Sequence, residues 1–390
     1  MNKSGIQPGK TYFRVDLIAA ARPNFMKVAP LFHALSDEPW CRLRLVHTGQ
    51  HYDRNMSDTF FKDLRLPEPD VHLGVGSGSH AEQTARVMLA YEGACVTDRP
   101  DLIVVVGDVN STLACALVGA KLRIAVAHLE AGLRSGDRNM PEEINRLVTD
   151  AVADVLWTPS PDADENLALE GVAAGKVTRV GNIMIDSYEL MHELIQASDA
   201  RRRLQLEGKD YGVITLHRPA NVDVPGVLGE LVGQFADISE KLPLVFPIHP
   251  RTRKNLEVFG LLPRLMAAPG VRAIEPMGYV DFMNLVCGAR LIITDSGGIQ
   301  EETTYLGIPC LTLRDTTERP ITVSQGTNRL VTVPGLGEAV NAILTCRRSR
   351  GQRPALWDGR TAARVVADIR TRFGEAYHAN ADAGDSSAGK

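Results

Sequence analysis

The sequence predicts an α/β protein built from two doubly wound, Rossmann-like domains facing each other across a cleft. Short β-branched apolar runs alternate with longer helical stretches along most of the chain, the pattern of βαβ units and parallel sheets. The alternation restarts at Tyr211, after a charged stretch from Gln196 to Asp210 that reads as a linker. A length of 390 residues allows two domains of ordinary size.

Each element follows from its own residues. In the first half, strands are expected at 13–19, 43–48, 102–106, 124–128, 155–158 and 177–180. The first runs into a turn at Ala21-Arg22-Pro23-Asn24 and then a helix through Leu35. In the second half, strands are expected at 213–216, 244–248, 271–274, 291–294 and 309–313. The domains are set at 1–178 and 179–363, and the small polar residues of 379–390 read as a disordered tail.

Composition narrows the function classes. A hydrophobic content of 44%, a charged content of 23% and a net charge of -4 describe a globular protein with no electrostatic case for nucleic acid. Arg201, Arg202 and Arg203 form a basic run that reads as a solvated helix or linker. The six cysteines lack CxxC spacing, which argues for reduced thiols and against a zinc site, so no metal is expected. With no signal peptide and no membrane-length apolar run, the expectation is a cytoplasmic enzyme that engages neither membrane nor nucleic acid.

The stretch 291–320, LIITDSGGIQEETTYLGIPCLTLRDTTERP, carries the strongest functional signal. A buried strand meets a Ser296-Gly297-Gly298 turn that opens a helix, an arrangement that aims free N–H groups at an anion. Glu302 lies four residues after Gly298, on the same helix face, where it suits ribose hydroxyls better than phosphate. The alternative is an ordinary strand–turn–helix with a solvated acidic first turn.

Ligands of doubly wound sheets bind at the carboxyl ends of the strands. In the first half those ends carry Arg22 and Lys27, Gln50 and His51, Asp108, and Glu130, with Glu142 following in RNMPEEINR. Singly, each acid has a structural reading: Glu142 and Glu143 can complement a helix dipole, and Arg146 can pair with Glu142. Three acids within a short span at one rim favour catalysis. In the second half His217 and Arg218, His249 and Arg251, and Arg314 end successive strands, as a convergent anion site would require. The GVGSG run at 74–78 lacks a clean strand before it and is a poor dinucleotide fingerprint. Walker A, HExxH and GxSxG motifs are absent from the sequence.

In order along the chain, ARPNFMKVAP, VVGDVNST, HLEAGLRSGDRNMPEEINR, GN at 181–182, LHRP, DSGGIQEE and RDTTERP resemble the non-hydrolysing bacterial UDP-N-acetylglucosamine 2-epimerases. The similarity spans about residues 14 to 375. The resemblance implies a GT-B-like fold, a UDP-sugar substrate, a homodimer, and a last helix, 364–378, that returns to the first domain. It implies reversible C2 epimerisation of UDP-N-acetylglucosamine to UDP-N-acetylmannosamine through a 2-acetamidoglucal, with no cofactor. Asp108, Glu130 and Glu142 match the family's catalytic acids, with His217 beside them at the diphosphate. Arg22, Lys27, Ser296, Gly297, Gly298 and Glu302 match substrate-binding positions, and Phe282 lies where the uracil is read. His249, Arg314 and Arg319 complete the expected site.

The chain departs from the common family pattern at Asn24, at Pro219-Ala220, at Ile321 and in the loop SGSHAEQ, 77–83, which neighbours an activating UDP-N-acetylglucosamine site in allosteric members. An epimerase of a related UDP-acetamido sugar, a hydrolysing 2-epimerase, a GT-B glycosyltransferase and an idle nucleotide-sugar sensor are the competing readings.

Overall fold

In a computed structural model, residues 12–20, 22–49, 64–345 and 351–385 are described. The chain divides into two units, Met1–Leu190 with Ala355–Lys390, and Met191–Pro354.

The first unit is built on seven parallel strands: β1 (Phe13–Ala19), β2 (Cys41–His47), β3 (Val71–His72), β4 (Leu102–Val106), β5 (Ala125–Leu129), β6 (Val155–Thr158) and β7 (Val177–Arg179). Their order is β3-β2-β1-β4-β5-β6-β7, so the winding reverses between β1 and β4. β1 and β4 are buried throughout, as strands covered on both faces must be. Asp16 lies inside β1 because Arg44 grips both its oxygens at 2.7 Å and the Tyr91 hydroxyl donates to it at 2.8 Å. The helix His80–Thr97 starts at a capping box between Ser79 and Glu82.

The second unit has six parallel strands: β8 (Gly212–Thr215), β9 (Leu244–Pro247), β10 (Val271–Ile274), β11 (Leu291–Thr294), β12 (Cys310–Thr312) and β13 (Asn328–Leu330). The order β10-β9-β8-β11-β12-β13 reverses between β8 and β11. Its core gathers Ile214, Phe235, Phe246 and Ile293, all buried.

The helix Thr361–Asp385 belongs to the first unit. Phe373 stacks on Phe13 with ring centroids 5.3 Å apart, and the Trp157 indole N–H donates to Asp368 at 2.7 Å. Asp186, also in this unit, accepts the Ala362 N–H at the start of that helix.

Several expectations need correcting. β3 and β13 were not anticipated, and β3 does precede the GVGSG run. The 196–210 stretch is not a linker but part of the second unit, and within it Arg202 and Arg203 are exposed on the short helix Ala200–Arg203, the solvated helix expected of the basic run. There the Ser198 hydroxyl donates to Asp281 at 2.6 Å, Arg201 bonds Asn284, and Arg203 pairs with Asp281. The division between units instead falls inside the helix Ile183–Ala197, past the boundary set at 178. The return to the first unit comes at Ala355, ahead of the helix expected from 364. That helix has backbone through Asp385, so the tail expected at 379–390 lies partly on it and partly outside the described residues. Gln50, His51 and Cys346 also lie outside them, and the remaining cysteines, Cys41, Cys95, Cys115, Cys287 and Cys310, are free thiols. Among the described residues no helix is long and apolar enough to cross a membrane.

Candidate active site

At the switch point of the first unit, β1 leads into the helix Arg22–Ser36, β4 into Gly107-Asp108, and β5 into Glu130. Glu130 is 4% exposed and holds a left-handed backbone with φ of 73°, a conformation that costs about 1–3 kcal/mol and recurs at functional sites. Its Oε2 pairs with the Lys27 ammonium, whereas its Oε1 is buried without a hydrogen-bond partner. Gly107 has φ of 71°, and a Cβ there would lie 3.3 Å from both Glu130 Oε2 and Lys27 Nζ. Glycine lets the end of β4 come this close to the ion pair.

Asp108 is half-buried. Arg146 donates to its Oδ2 at 2.5 Å, and the Asn145 side chain donates to its carbonyl at 2.8 Å. Arg146 therefore does not pair with Glu142. Its other donors hold Glu143, which also accepts from the Ser135 and Gly136 N–H groups. Burial pushes the Glu143 carboxyl up, but those bonds outweigh it and hold its pKa below the ordinary value. Glu143 thus ties the loop after Glu130 to the helix Pro141–Val152, and Glu142 is left as the half-buried acid of its first turn. Arg22 opens the helix after β1, and its side chain lies outside the described residues.

The second unit repeats the logic at β8 and β11. Asp295, fully buried after β11, accepts from the His217 and Arg218 N–H groups, from the Asn221 amide and from His217 Nδ1 at 3.0 Å. Burial raises the Asp295 carboxyl, but these donors more than compensate and its pKa falls below the usual carboxylate range. The His217 and His249 rings lie 5.6 Å apart, and burial followed by the His217 charge lowers the His249 pKa.

Gly297 and Gly298 open the helix Gly297–Leu306, whose first N–H groups have no partner within the helix. Gly297 is required by a close approach, because a Cβ would sit 2.5 Å from Glu318 Oε1. Glu318 pairs with Arg314 at 2.8 Å and Arg319 at 2.7 Å, and Arg319 reaches Glu301 at 2.7 Å. Arg314 and Arg319 are thus buried members of a balanced network of two cations and two anions. Burial pushes Glu318 up, yet Arg319 and Arg314 pull its pKa well below the carboxylate range. Glu302 is 5% exposed and accepts the Tyr279 hydroxyl at 2.7 Å. Burial pushes its pKa up to about 7, against the pull of Tyr279. Phe282 is half-buried on the same helix as Tyr279, Tyr279–Cys287.

The structure brings Lys27 to Glu130, and it gathers Gly297, Arg314 and Arg319 around Glu318, with Ser296 and Gly298 flanking Gly297 at the start of the helix. His128, Asn145, Tyr279, Asp295 and Glu318 are supporting groups that motif reading passed over, and Arg146 is one it placed on the wrong acid. Asp295 and Glu318 sit inside the recognised motifs, and an acid next to a phosphate turn was the available signal. Among the described residues no cluster of three or more His, Cys, Asp or Glu side chains forms a metal site.

Residues 33–370 match the family model for UDP-N-acetylglucosamine 2-epimerase. The chain is 40% identical over 362 residues to the UDP-N-acetylglucosamine 2-epimerase of Methanocaldococcus jannaschii, covering 90% of this chain and 98% of that protein. It is also 40% identical over 322 residues to the UDP-2,3-diacetamido-2,3-dideoxy-D-glucuronate 2-epimerase of Pseudomonas aeruginosa, covering 82% and 88%. The crystal structure of the M. jannaschii UDP-GlcNAc 2-epimerase in complex with UDP-GlcNAc and UDP superposes with a TM-score of 0.84, over 92% of this chain and 100% of that one.

Proposed function

Because the chain belongs to the UDP-N-acetylglucosamine 2-epimerase family, of the non-hydrolysing type, we propose that it interconverts UDP-N-acetylglucosamine and UDP-N-acetylmannosamine by eliminating and re-adding UDP. The observation that carries this reading is Glu130: a buried carboxylate on strained backbone, with one oxygen paired to Lys27 and the other unpartnered.

The chemistry needs acids and no cofactor. The C2 hydrogen has no neighbouring carbonyl, so direct deprotonation is unfavourable. As the C1–O bond breaks, its electron pair leaves with UDP and C1 becomes oxocarbenium-like, which acidifies the C2 hydrogen. A carboxylate takes that proton, and the C2–H electron pair forms the double bond of 2-acetamidoglucal. Proton return to the opposite face and re-addition of UDP give the epimer. Transfer on two faces requires more than one acid–base group, the role assigned to Asp108, Glu130 and Glu142.

In the second unit, the Ser296 hydroxyl and the N–H groups of Gly297 and Gly298 hold the diphosphate with His217, while Glu302 accepts from the ribose hydroxyls and Phe282 packs on the uracil. Arg22 and Lys27 match the family's diphosphate-contacting positions, and Lys27 also pairs with Glu130. His249, Arg314 and Arg319 support that site, the two arginines through the Glu318 network.

Equal identity to the P. aeruginosa enzyme favours a second reading, in which the sugar carries a further acetamido group and a carboxylate. Incubation with each UDP-sugar alone, followed by chromatography, separates the outcomes. Epimer formed from UDP-N-acetylglucosamine supports the first reading, and epimer formed only from the diacetamido-glucuronate supports the second. Free N-acetylmannosamine with UDP, or turnover that demands an acceptor, would overturn both.

A further inference from the structure

His128 lies on β5, wholly buried beneath the ends of β4 and β5, and the chemistry above makes no use of it. Its Nε2 is 2.8 Å from the Gly107 carbonyl, and its Nδ1 is 2.6 Å from Asp150 Oδ1. A carbonyl can only accept, so Nε2 carries a proton. Asp150 Oδ2 accepts the Gly132 N–H at 2.9 Å and faces Arg134 Nη2 at 2.8 Å, an environment that favours the ionised carboxylate. Opposite a carboxylate, Nδ1 must donate as well. A neutral imidazole has one N–H and cannot meet both demands.

We propose that His128 is a buried imidazolium whose Nε2–H clamps the Gly107 carbonyl and thereby positions Asp108 for proton transfer. The surrounding charges support this assignment. Arg134 also pairs with Glu170 at 2.7 Å, so His128 and Arg134 are balanced by Asp150 and Glu170. Lys27 and Glu130 form an ion pair next to Gly107. Burial raises the Asp150 carboxyl, but the His128 charge and Arg134 more than reverse this and hold it below its usual pKa. The Gly107 N–H also donates to the Leu129 carbonyl at 3.0 Å, so the peptides on both sides of Gly107 are fixed on β5. Asp108 follows the second of these and reaches Arg146.

The role of His128 rests on the reading of Asp108 as a catalytic acid; its charge does not, and the two are tested separately. The first experiment is nitrogen-15 NMR of the full chain with labelled histidine rings, using His128→Gln to assign the signal. The expected result is two protonated ring nitrogens on His128 in the folded chain, and one unprotonated nitrogen there would overturn the proposal.

The second experiment compares His128→Gln with His128→Asn. Gln carries an amide nitrogen near the Nε2 position and keeps the bond to Gly107. Asn carries one near Nδ1 and keeps only the bond to Asp150. With UDP-N-acetylglucosamine, kcat for the Asn variant is expected to fall about tenfold below that of the Gln variant, with KM unchanged in both. Equal kcat losses, or a loss confined to KM, would overturn the clamp. Should the wild-type chain fail to turn over while His128 still shows two ring protons, the epimerase reading fails and the imidazolium stands.

Discussion

Asp295→Asn is the substitution whose consequences the structure fixes most closely. One buried carboxylate accepts from His217 N–H, Arg218 N–H at 2.9 Å, the Asn221 amide at 3.1 Å and His217 Nδ1 at 3.0 Å. Asparagine keeps one oxygen and turns the other position into a donor. If the oxygen stays on Arg218 and Asn221, the new NH2 faces His217 Nδ1 and forces the imidazole to the opposite tautomer or away. If the amide flips, the Arg218 and Asn221 donors lose their acceptor. The first case removes the His217 Nδ1 bond and the second the Arg218 and Asn221 bonds, at about 1.5–3 kcal/mol each, so the second unit should lose roughly 2–6 kcal/mol. For a unit of this size that is a Tm decrease of about 4–24 °C by calorimetry. In D2O exchange at C2, kcat should fall by about two orders of magnitude, the lower end of what one donor to a developing anion contributes. A variant within about 2 °C and threefold of wild type would refute the assignment of Asp295 as the group that orients His217.

The remaining predictions are brief. Glu302 has its folded pKa raised to about 7 by burial, so its contribution to stability is fully present below its unfolded pKa and is lost as pH rises through 7. Ligand binding runs the other way. If ribose hydroxyls require the carboxylate, UDP-sugar affinity in titration calorimetry should tighten up to about tenfold per pH unit below 7 and then level, and Glu302→Gln should abolish that dependence. Lys27→Met strands Glu130 in a 3% exposed site, for a loss of about 3–5 kcal/mol in denaturant unfolding together with loss of turnover. Gly297→Ala places a methyl group 2.5 Å from Glu318 Oε1, so UDP affinity and Tm should both fall, at a cost of about 1–3 kcal/mol for the overpacking. Unchanged UDP affinity would mean the turn does not hold the diphosphate.

Much of this architecture was legible because parallel strands buried on both faces must be continuous apolar runs. Leu291–Thr294 and Leu102–Val106 were therefore readable one by one. β3 and β13 were not: two or three residues such as Val71-His72 carry no periodicity, and they pair only because a sheet edge is waiting for them. The 196–210 stretch reads as a linker because Asp281 and Asn284, which tie its Ser198, Arg201 and Arg203 side chains into the second unit, lie about 80 residues further on. Arg146 had two acids within helical reach, and spacing alone chose Glu142. The Ser135 and Gly136 N–H groups pull Glu143 inward, and the arginine follows it to Asp108. Single motif residues were visible in the sequence, whereas the bonds that hold them, such as Asp150 to His128, join residues about one strand–helix unit apart.

Proton NMR of the full chain with UDP-N-acetylglucosamine in D2O, without acceptor, tests the elimination route most directly. The account predicts a UDP-N-acetylmannosamine anomeric signal together with deuterium at C2 in both epimers. Epimer that retains its original C2 proton would contradict it, because proton transfer through Asp108, Glu130 and Glu142 must exchange with solvent as the two faces equilibrate.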